Sequence, residues 1–483
     1  MIQNGLKFFT NEPEKDIHTR VANILKSNTH YETLTGLFAA FMFLQLTVLG
    51  LGNHAGEGFL SPERRELVYY ALQAFVILGF LTYAATDRLI RRAHVHKRIT
   101  AVALVVFAMG TAMMLFADKA TRFYLIVTYT VVLCLGYLGG ATYHRMSRET
   151  AAGGKTAQSM GLGCAIAIAL QFVLQIQWGI TPFLPVFMLA AFVLLAVHLL
   201  RTESESESEG ESAEKTPSHH LLFACLIAVV FVLFTSFYNG YIHHLQIQTD
   251  YTDYNVYSWP RLMLIPCYLL FAAIGDKRQG KMVPVVALCI ALVAMLNSVL
   301  NGSAGAYRLN MCLFYCAIAA SVSYYNLTFW HLAKGTKHPA LWASMGRILD
   351  SVMVLVAGAI HISALPTAVV LTINIAGLAA IIVMLTVSGG FNLSASATQG
   401  VAPSLLSEEA TFDRIREKYA LTPREADVLR ELVLTEDKQT VISERLSIKV
   451  TVLQKHVTQL YRKTGAMTRS GLTDLYRNTM IGL

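Results

Sequence analysis

An all-helical chain in two parts, a polytopic membrane bundle followed by a small soluble domain, is what three features of this sequence predict. First, 54% of its 483 residues are hydrophobic and only 14% are charged, where soluble proteins carry about a quarter charged residues. Second, the apolar residues fall in runs of about twenty, the length a helix needs to cross a hydrocarbon layer ~30 Å thick. Third, hydropathy collapses after Gly390, and from about Glu408 the chain turns charged with helical periodicity.

The runs place about twelve spans near residues 34–52, 67–86, 99–117, 123–143, 159–179, 182–200, 221–240, 259–275, 283–300, 309–330, 340–361 and 366–388. Residues 1–33 are polar and mixed in charge, with no cleavable secretory signal, and predict a cytoplasmic N-terminal segment. With the N-terminus inside, the inner segments hold nineteen Lys and Arg, against five outside: Arg64, Arg65, Lys119, Arg122 and Arg308. That asymmetry follows the positive-inside rule and places both termini in the cytoplasm.

Residues 201–220 contain ESESESEGESAE, too polar to bury anything, and read as a flexible solvated linker. The linker divides a first six-helix half, 34–200, from a second, 221–388; a tether at 389–407 leads to a domain at 408–483. A 6+6 layout is the pattern of transporter-like bundles built from two related halves. The inner loops YAATDRLIRR at 83–92 and AAIGDKRQGK at 272–281 resemble the G-x-x-x-D-R-x-G-R-R loop of major facilitator superfamily transporters. Asp87 and Asp276 hold the acidic place, while Tyr83 and Ile90 stand where glycines are usual. Two ordinary basic inner loops are the plainer alternative; the resemblance implies a transporter-like fold.

Ionisable residues inside spans are functional candidates because lipid burial is expensive. Arg347 and Asp350, one turn apart in the eleventh span, are the clearest ligand or switch candidates, with a structural salt bridge as the alternative. Gln45, Gln73, Gln171, Gln175, Asn297, Tyr324, Tyr325, Asn326 and Asn374 are expected mostly to bond neighbouring helices. The outer loop from His243 to Trp259, with three tyrosines, Asp250 and Asp253, has the composition of a lid. His243 and His244 lack a third ligand at metal spacing, and no phosphate-binding glycine loop or nucleophile constellation occurs. No catalytic residue, metal or cofactor is therefore expected. The seven cysteines all lie in apolar segments and read as small buried hydrophobes.

In the C-terminal domain, Thr422-Pro423-Arg424-Glu425 combines a capping residue, proline at the first helical position and Glu at the third. That is a capping box, and it starts a helix whose Val428, Leu429 and Leu432 form a buried stripe. Asp437 is placed to cap a second helix with Ile442 and Leu446 inward, Ser447-Ile448 make a turn, and a third helix follows. There Leu453, Val457 and Leu460 recur on one face. The opposite face presents Thr451, Lys455, Thr458 and Arg462, with Gln454 and Lys463 alongside. From Arg445 to Leu483 seven basic residues face one acid, Asp474, which polarises positive charge onto this helix. Lys and Gln donate to base edges, and Thr and Arg bind phosphate.

LTPREADVL at 421–429, ISERLSI at 442–448 and HVTQLYRK at 456–463 resemble the LuxR-type (NarL/FixJ-like) helix-turn-helix over about Leu421 to Leu475. The resemblance implies a four-helix domain whose third helix enters the major groove and whose fourth can pair two domains on DNA. By position, Gln454, Lys455 and Thr458 would face bases, and Lys449, Thr451, Arg462 and Lys463 would lie near phosphates. Leu472 and Leu475 would either form the pairing face or close the small core.

These readings combine into a membrane-bound one-component transcription regulator, multi-pass in a bacterial inner membrane, with no enzymatic activity. Its expected partners are double-stranded DNA, the lipid bilayer, an unidentified small molecule sensed by the bundle, and a second copy through the C-terminal domain. The rival expectation is a major-facilitator-type transporter with a regulatory DNA-binding tail.

Overall fold

The computed structural model describes residues 14–480 except 91, 152–154, 177–182, 202–217, 249–257, 277–281, 301–306, 361–366, 388–407, 436, 438, 465 and 467. The linker core, the tether and most of the lid loop, together with Lys277, Arg278 and Lys281, lie outside the described residues. The described chain is all helical and divides into two compact units, Met1–Ala397 and Thr398–Leu483.

The first unit runs α1 (Glu14–Gly52), α2 (Pro62–Leu89), α3 (Ala93–Phe116), α4 (Arg122–Ala151), α5 (Thr156–Gln171) and α6 (Leu184–Leu200). It continues as α7 (Ser218–Gln248), α8 (Leu264–Gly275), α9 (Val283–Leu300), α10 (Tyr307–Ala333), α11 (Pro339–Ala359) and α12 (Thr367–Val387). Among the described residues seven helices are long and apolar enough to cross a bilayer, and four shorter helices are strongly apolar. Helices suit these sequences because lipid offers backbone groups no hydrogen-bond partners, so each span must satisfy its own.

Helix α1 begins at Glu14, and its apolar stretch Tyr31–Gly52 coincides with the expected first span. One sequence expectation needs correction. His243 and His244 belong to α7, which continues to Gln248, so the lid loop cannot begin there.

Helix packing is set by small residues. Helix α2 lies along α4, where a Cβ on Gly79 would strike the Leu133 carbonyl and one on Gly136 the Val76 carbonyl. Glycine at both places lets the backbones touch, the usual device of membrane helix pairs. Helix α1 packs along α5, and α5 along α8, joining the two halves of the sequence. The Asp276 carboxylate, just past α8, accepts the backbone N–H groups of Ala157 (3.0 Å) and Gln158 (2.9 Å) at the start of α5. A carboxylate is at home there, since the first turn of a helix leaves N–H groups unpaired. Asp87, its counterpart in the first half, lies 3.7 Å from His144 Nδ1 on α4.

Among the described residues the second unit has five helices where four were expected: α13 (Glu408–Lys418), α14 (Pro423–Leu434), α15 (Gln439–Arg445), α16 (Val450–Thr464) and α17 (Arg469–Met480). The extra helix, α13, contributes Phe412 and Ile415 to the core, two apolar residues within an otherwise charged string. Phe412 meets Tyr476 of α17 at a ring distance of 4.7 Å. Val428, Leu429, Leu432, Ile442, Leu453, Val457 and Leu460 are all buried, as their periodicity requires. Leu472 is fully buried and Leu475 packs against the same cluster, so both help to close the core.

Candidate functional site

A cavity of about 250 Å³ lies inside the first unit, between α1, α2, α4 and α5 on one side and α8, α10 and α11 on the other. Its apolar wall comes chiefly from aromatic rings and from Leu46, Leu49 and Leu72. Its polar lining comprises Gln45, Asn53, Gln73, Arg261 and Arg347, together with the phenols of five tyrosines.

Arg261 sits in the 3-10 turn Trp259–Met263 that leads into α8. Its Nη2 donates to Gln171 Oε1 at 2.9 Å, and Gln171 Nε2 donates to the Leu46 carbonyl at 3.0 Å. Gln171 is the last residue of α5 before a π-helical turn, Phe172–Ile176. Such turns interrupt the helix ladder and are frequent at functional positions. A chain of two hydrogen bonds thus runs from α1 through α5 to the entry of α8, fixing the Arg261 guanidinium at the cavity.

Arg347 and Asp350 form an ion pair within α11, one turn apart, rather than a bridge between helices. Both are mostly buried, with side chains 14% and 19% exposed, and Arg347 lines the cavity whereas Asp350 does not. Arg347 Nε is buried with no acceptor among the described residues. One residue beyond the pair, Ser351 donates to Gln73 Oε1 of α2 at 3.0 Å. The α11 segment that carries the pair is thereby tied to the opposite half of the bundle. On its other neighbour, α10, Gly346 lets α11 pack closely, because a Cβ there would collide with the Tyr325 ring.

Of the polar residues singled out from sequence, Gln45, Gln73 and Tyr325 line the cavity and Gln171 supports it. Tyr324 and Asn326 are buried outside the lining, Asn326 lying 3.9 Å from the Met160 sulfur. The side chains of Asn297 and Asn374 lie outside the described residues. Sequence reasoning missed Arg261, although a cation at the edge of an apolar run is a legible signal. It also missed Asn53, Tyr69, Tyr143, Tyr268 and Tyr315, which only the tertiary structure brings together.

In the second unit, the predicted capping box is present: Glu425 N donates to Thr422 Oγ1 at 3.3 Å and Thr422 N to Glu425 Oε2 at 2.8 Å. The Asp437 carboxylate accepts from Arg445 Nη2 at 2.6 Å, and Arg445 also pairs with Glu431. Ser447, with φ of +52°, turns the chain between α15 and α16.

Lys449, Thr451, Gln454, Lys455, Thr458 and Arg462 are exposed, and Leu453, Val457 and Leu460 of α16 are turned into the core. Thr458 Oγ1 donates to the Gln454 carbonyl at 2.9 Å. Lys463 is placed differently. Its ammonium donates to Glu425 Oε2 at 2.7 Å and to the Ala420 carbonyl at 2.9 Å, so it anchors α16 to the start of α14. Arg469 likewise serves the fold, spanning the carbonyls of Leu432 (2.8 Å), Asp437 (2.7 Å) and Thr435. The positive charge concentrated in this segment is therefore partly internal; among the described residues Lys449, Lys455 and Arg462 are exposed cations.

No known family model matches this chain, and neither does any curated protein. Among solved structures, the human organic anion transporter MFSD10 (TETRAN) is similar at a TM-score of 0.49 and 13% identity, covering 76% of this chain and 98% of that one. So distant a likeness says nothing of what this chain binds.

Proposed function

We propose that this protein is a multi-pass membrane protein that holds a small solute in its central cavity and carries a DNA-reading unit at its C-terminus. The observation that carries the membrane part is the cavity itself, walled by helices from both halves of the bundle and lined by two arginines. A site at the junction of two helical halves is where alternating movement of one half against the other changes access to a solute. Transport with a regulatory tail therefore has the firmer footing of the two readings.

The one-component regulator reading rests on the second unit. It has its own core, a helix with an exposed face bearing Lys455 and Gln454, and the sequence resemblance to LuxR-type domains. In this reading the solute must favour one conformation of the bundle, since equal affinity for two states shifts nothing. DNA binding by pairs of C-terminal units, cytoplasmic termini and the absence of enzymatic activity belong to the same proposal.

Proteoliposomes separate the readings. Accumulation of a labelled solute driven by its gradient or by a proton gradient supports transport. Solute-dependent DNA binding by the reconstituted chain, without accumulation, supports the regulator.

A further inference from the structure

We propose that Cys267 and Cys316 are a redox modification site, where a small neutral organic disulfide converts two thiols on facing helices into one reversible cross-link. The site does not depend on what the cavity holds.

Cys267 lies in the first turn of α8 and Cys316 in the third turn of α10. These two helices pack against each other, and the two thiols are hydrogen-bonded across the contact. Sulfur is a weak donor and a weak acceptor, so the bond itself adds little; its consequence is proximity. A disulfide needs Cβ atoms about 3.5–4.5 Å apart and sulfurs about 2.05 Å apart. Thiols already in contact reach that geometry by side-chain rotation and a small approach of the helices. Cys312 is the competing partner, one turn before Cys316 on the same helix. A helix holds Cβ atoms at i and i+4 about 5–6 Å apart, beyond disulfide reach, and its backbone ladder resists any closer approach. Geometry therefore selects the pair between helices over the pair within α10.

Exposure points the same way. Fully buried cysteines are inert hydrophobes, and Cys164 is one of them. Cys267 and Cys316 are only partly buried, which leaves room for a small reagent. With both termini cytoplasmic, as proposed above, even-numbered helices run inward, and the starts of α8 and α10 lie on the outer side. Disulfides form and persist on that side of a membrane.

The exchange has two steps. One protein thiolate attacks a sulfur of the organic disulfide, giving a mixed disulfide and expelling one thiolate. The second protein thiolate then attacks the protein-bound sulfur, closing Cys267–Cys316 and expelling the other. The protein loses two electrons and two protons, and the organic disulfide leaves as two thiols. Leu264 and Tyr268 flank Cys267, while Tyr315 and Ile318 flank Cys316, and all four line the cavity. The cross-link thus fixes the spacing of two cavity walls.

The test uses the full chain in detergent and in nanodiscs, equilibrated in mixtures of bis(2-hydroxyethyl) disulfide and 2-mercaptoethanol. Samples are quenched with acid, alkylated with N-ethylmaleimide, cut with chymotrypsin and read by mass spectrometry. Cleavage after Phe314 or Tyr315 separates Cys312 from Cys316. The expected result is a Cys267–Cys316 peptide pair in excess disulfide, lost in excess thiol, retained in Cys312→Ser and absent from Cys316→Ser. The thermal unfolding midpoint is expected to rise with oxidation in the wild type, because a cross-link restricts the unfolded chain, and to stay unchanged in Cys316→Ser. Cys316→Ala takes the place of Cys316→Ser if the serine variant does not fold. A Cys312–Cys316 link in the folded protein overturns the assignment. So does a mixed disulfide at either thiol that never closes, an absence of reaction at both, or a link that forms only after unfolding.

Discussion

The ammonium of Lys463, near the end of α16, lies 2.7 Å from the carboxylate of Glu425, in the first turn of α14. Glu425 is almost fully buried, and the same carboxylate closes the capping box with Thr422. One contact therefore joins the first turn of α14 to the basic helix, and gives Lys463 a structural task.

Replacing Lys463 by alanine is accordingly expected to lower the stability of the unit Thr398–Leu483 by about 1.5–3 kcal/mol, because a buried carboxylate loses a charged partner. Urea unfolding of the isolated unit, which has its own core, reads this directly. A midpoint unchanged from the wild type would show that the pair is worth nothing in solution.

The same pair sets an acid dependence. Burial pushes the Glu425 carboxyl up, but the Lys463 hydrogen bond and the backbone and side chain of Thr422 outweigh it, leaving Glu425 below the usual carboxylate range. A carboxyl depressed in the folded state contributes stability that is fully present above its unfolded value, about 4.3. That contribution is lost as pH falls through the lower folded value. Unfolding midpoints measured from pH 6 downward are expected to fall more steeply for the wild type than for Lys463→Met.

On the exposed face of α16, Lys455 and Arg462 are expected to behave differently. Lys455→Ala should cost about 1–3 kcal/mol of discrimination between matched and mismatched duplexes. Arg462→Ala should weaken all duplexes alike and reduce the salt slope by about one. Titrations at two salt concentrations distinguish them, and equal effects of the two substitutions on both quantities would remove the distinction between base and phosphate contacts.

Asp350→Asn leaves Arg347 without its carboxylate partner at the edge of the cavity. Solute affinity or response is expected to change in the folded full-length variant. If the variant only falls in abundance and the surviving protein responds as the wild type, the pair is structural.

Much of the helical architecture was legible because apolar runs are a one-dimensional signal. Lipid and water each dictate which residues a helix presents, and no long-range pairing is needed to read that. The α14 start was equally plain, since Thr422, Pro423 and Glu425 act within one turn. The cavity was only half legible. Arg347 and Gln73 stand out as polar residues in apolar runs, but their meeting across α11 and α2 through Ser351 depends on how distant segments pack. The tyrosines of the lining are scattered over α2, α4, α8 and α10, and each alone reads as core. The tie made by Lys463 was not legible for a related reason: a cation on a basic helix looks free until its partner, 38 residues away in sequence, is brought beside it.

The central proposal is that one polypeptide both holds a solute in the membrane and touches DNA. The direct measurement is capture of sheared genomic double-stranded DNA by the full chain in nanodiscs, with sequencing of the retained fragments. The expected result is fragments sharing a common motif, released as salt rises and no longer selected by Lys455→Ala. Retention of no DNA at low salt, by either the full chain or the folded Thr398–Leu483 unit, would contradict it.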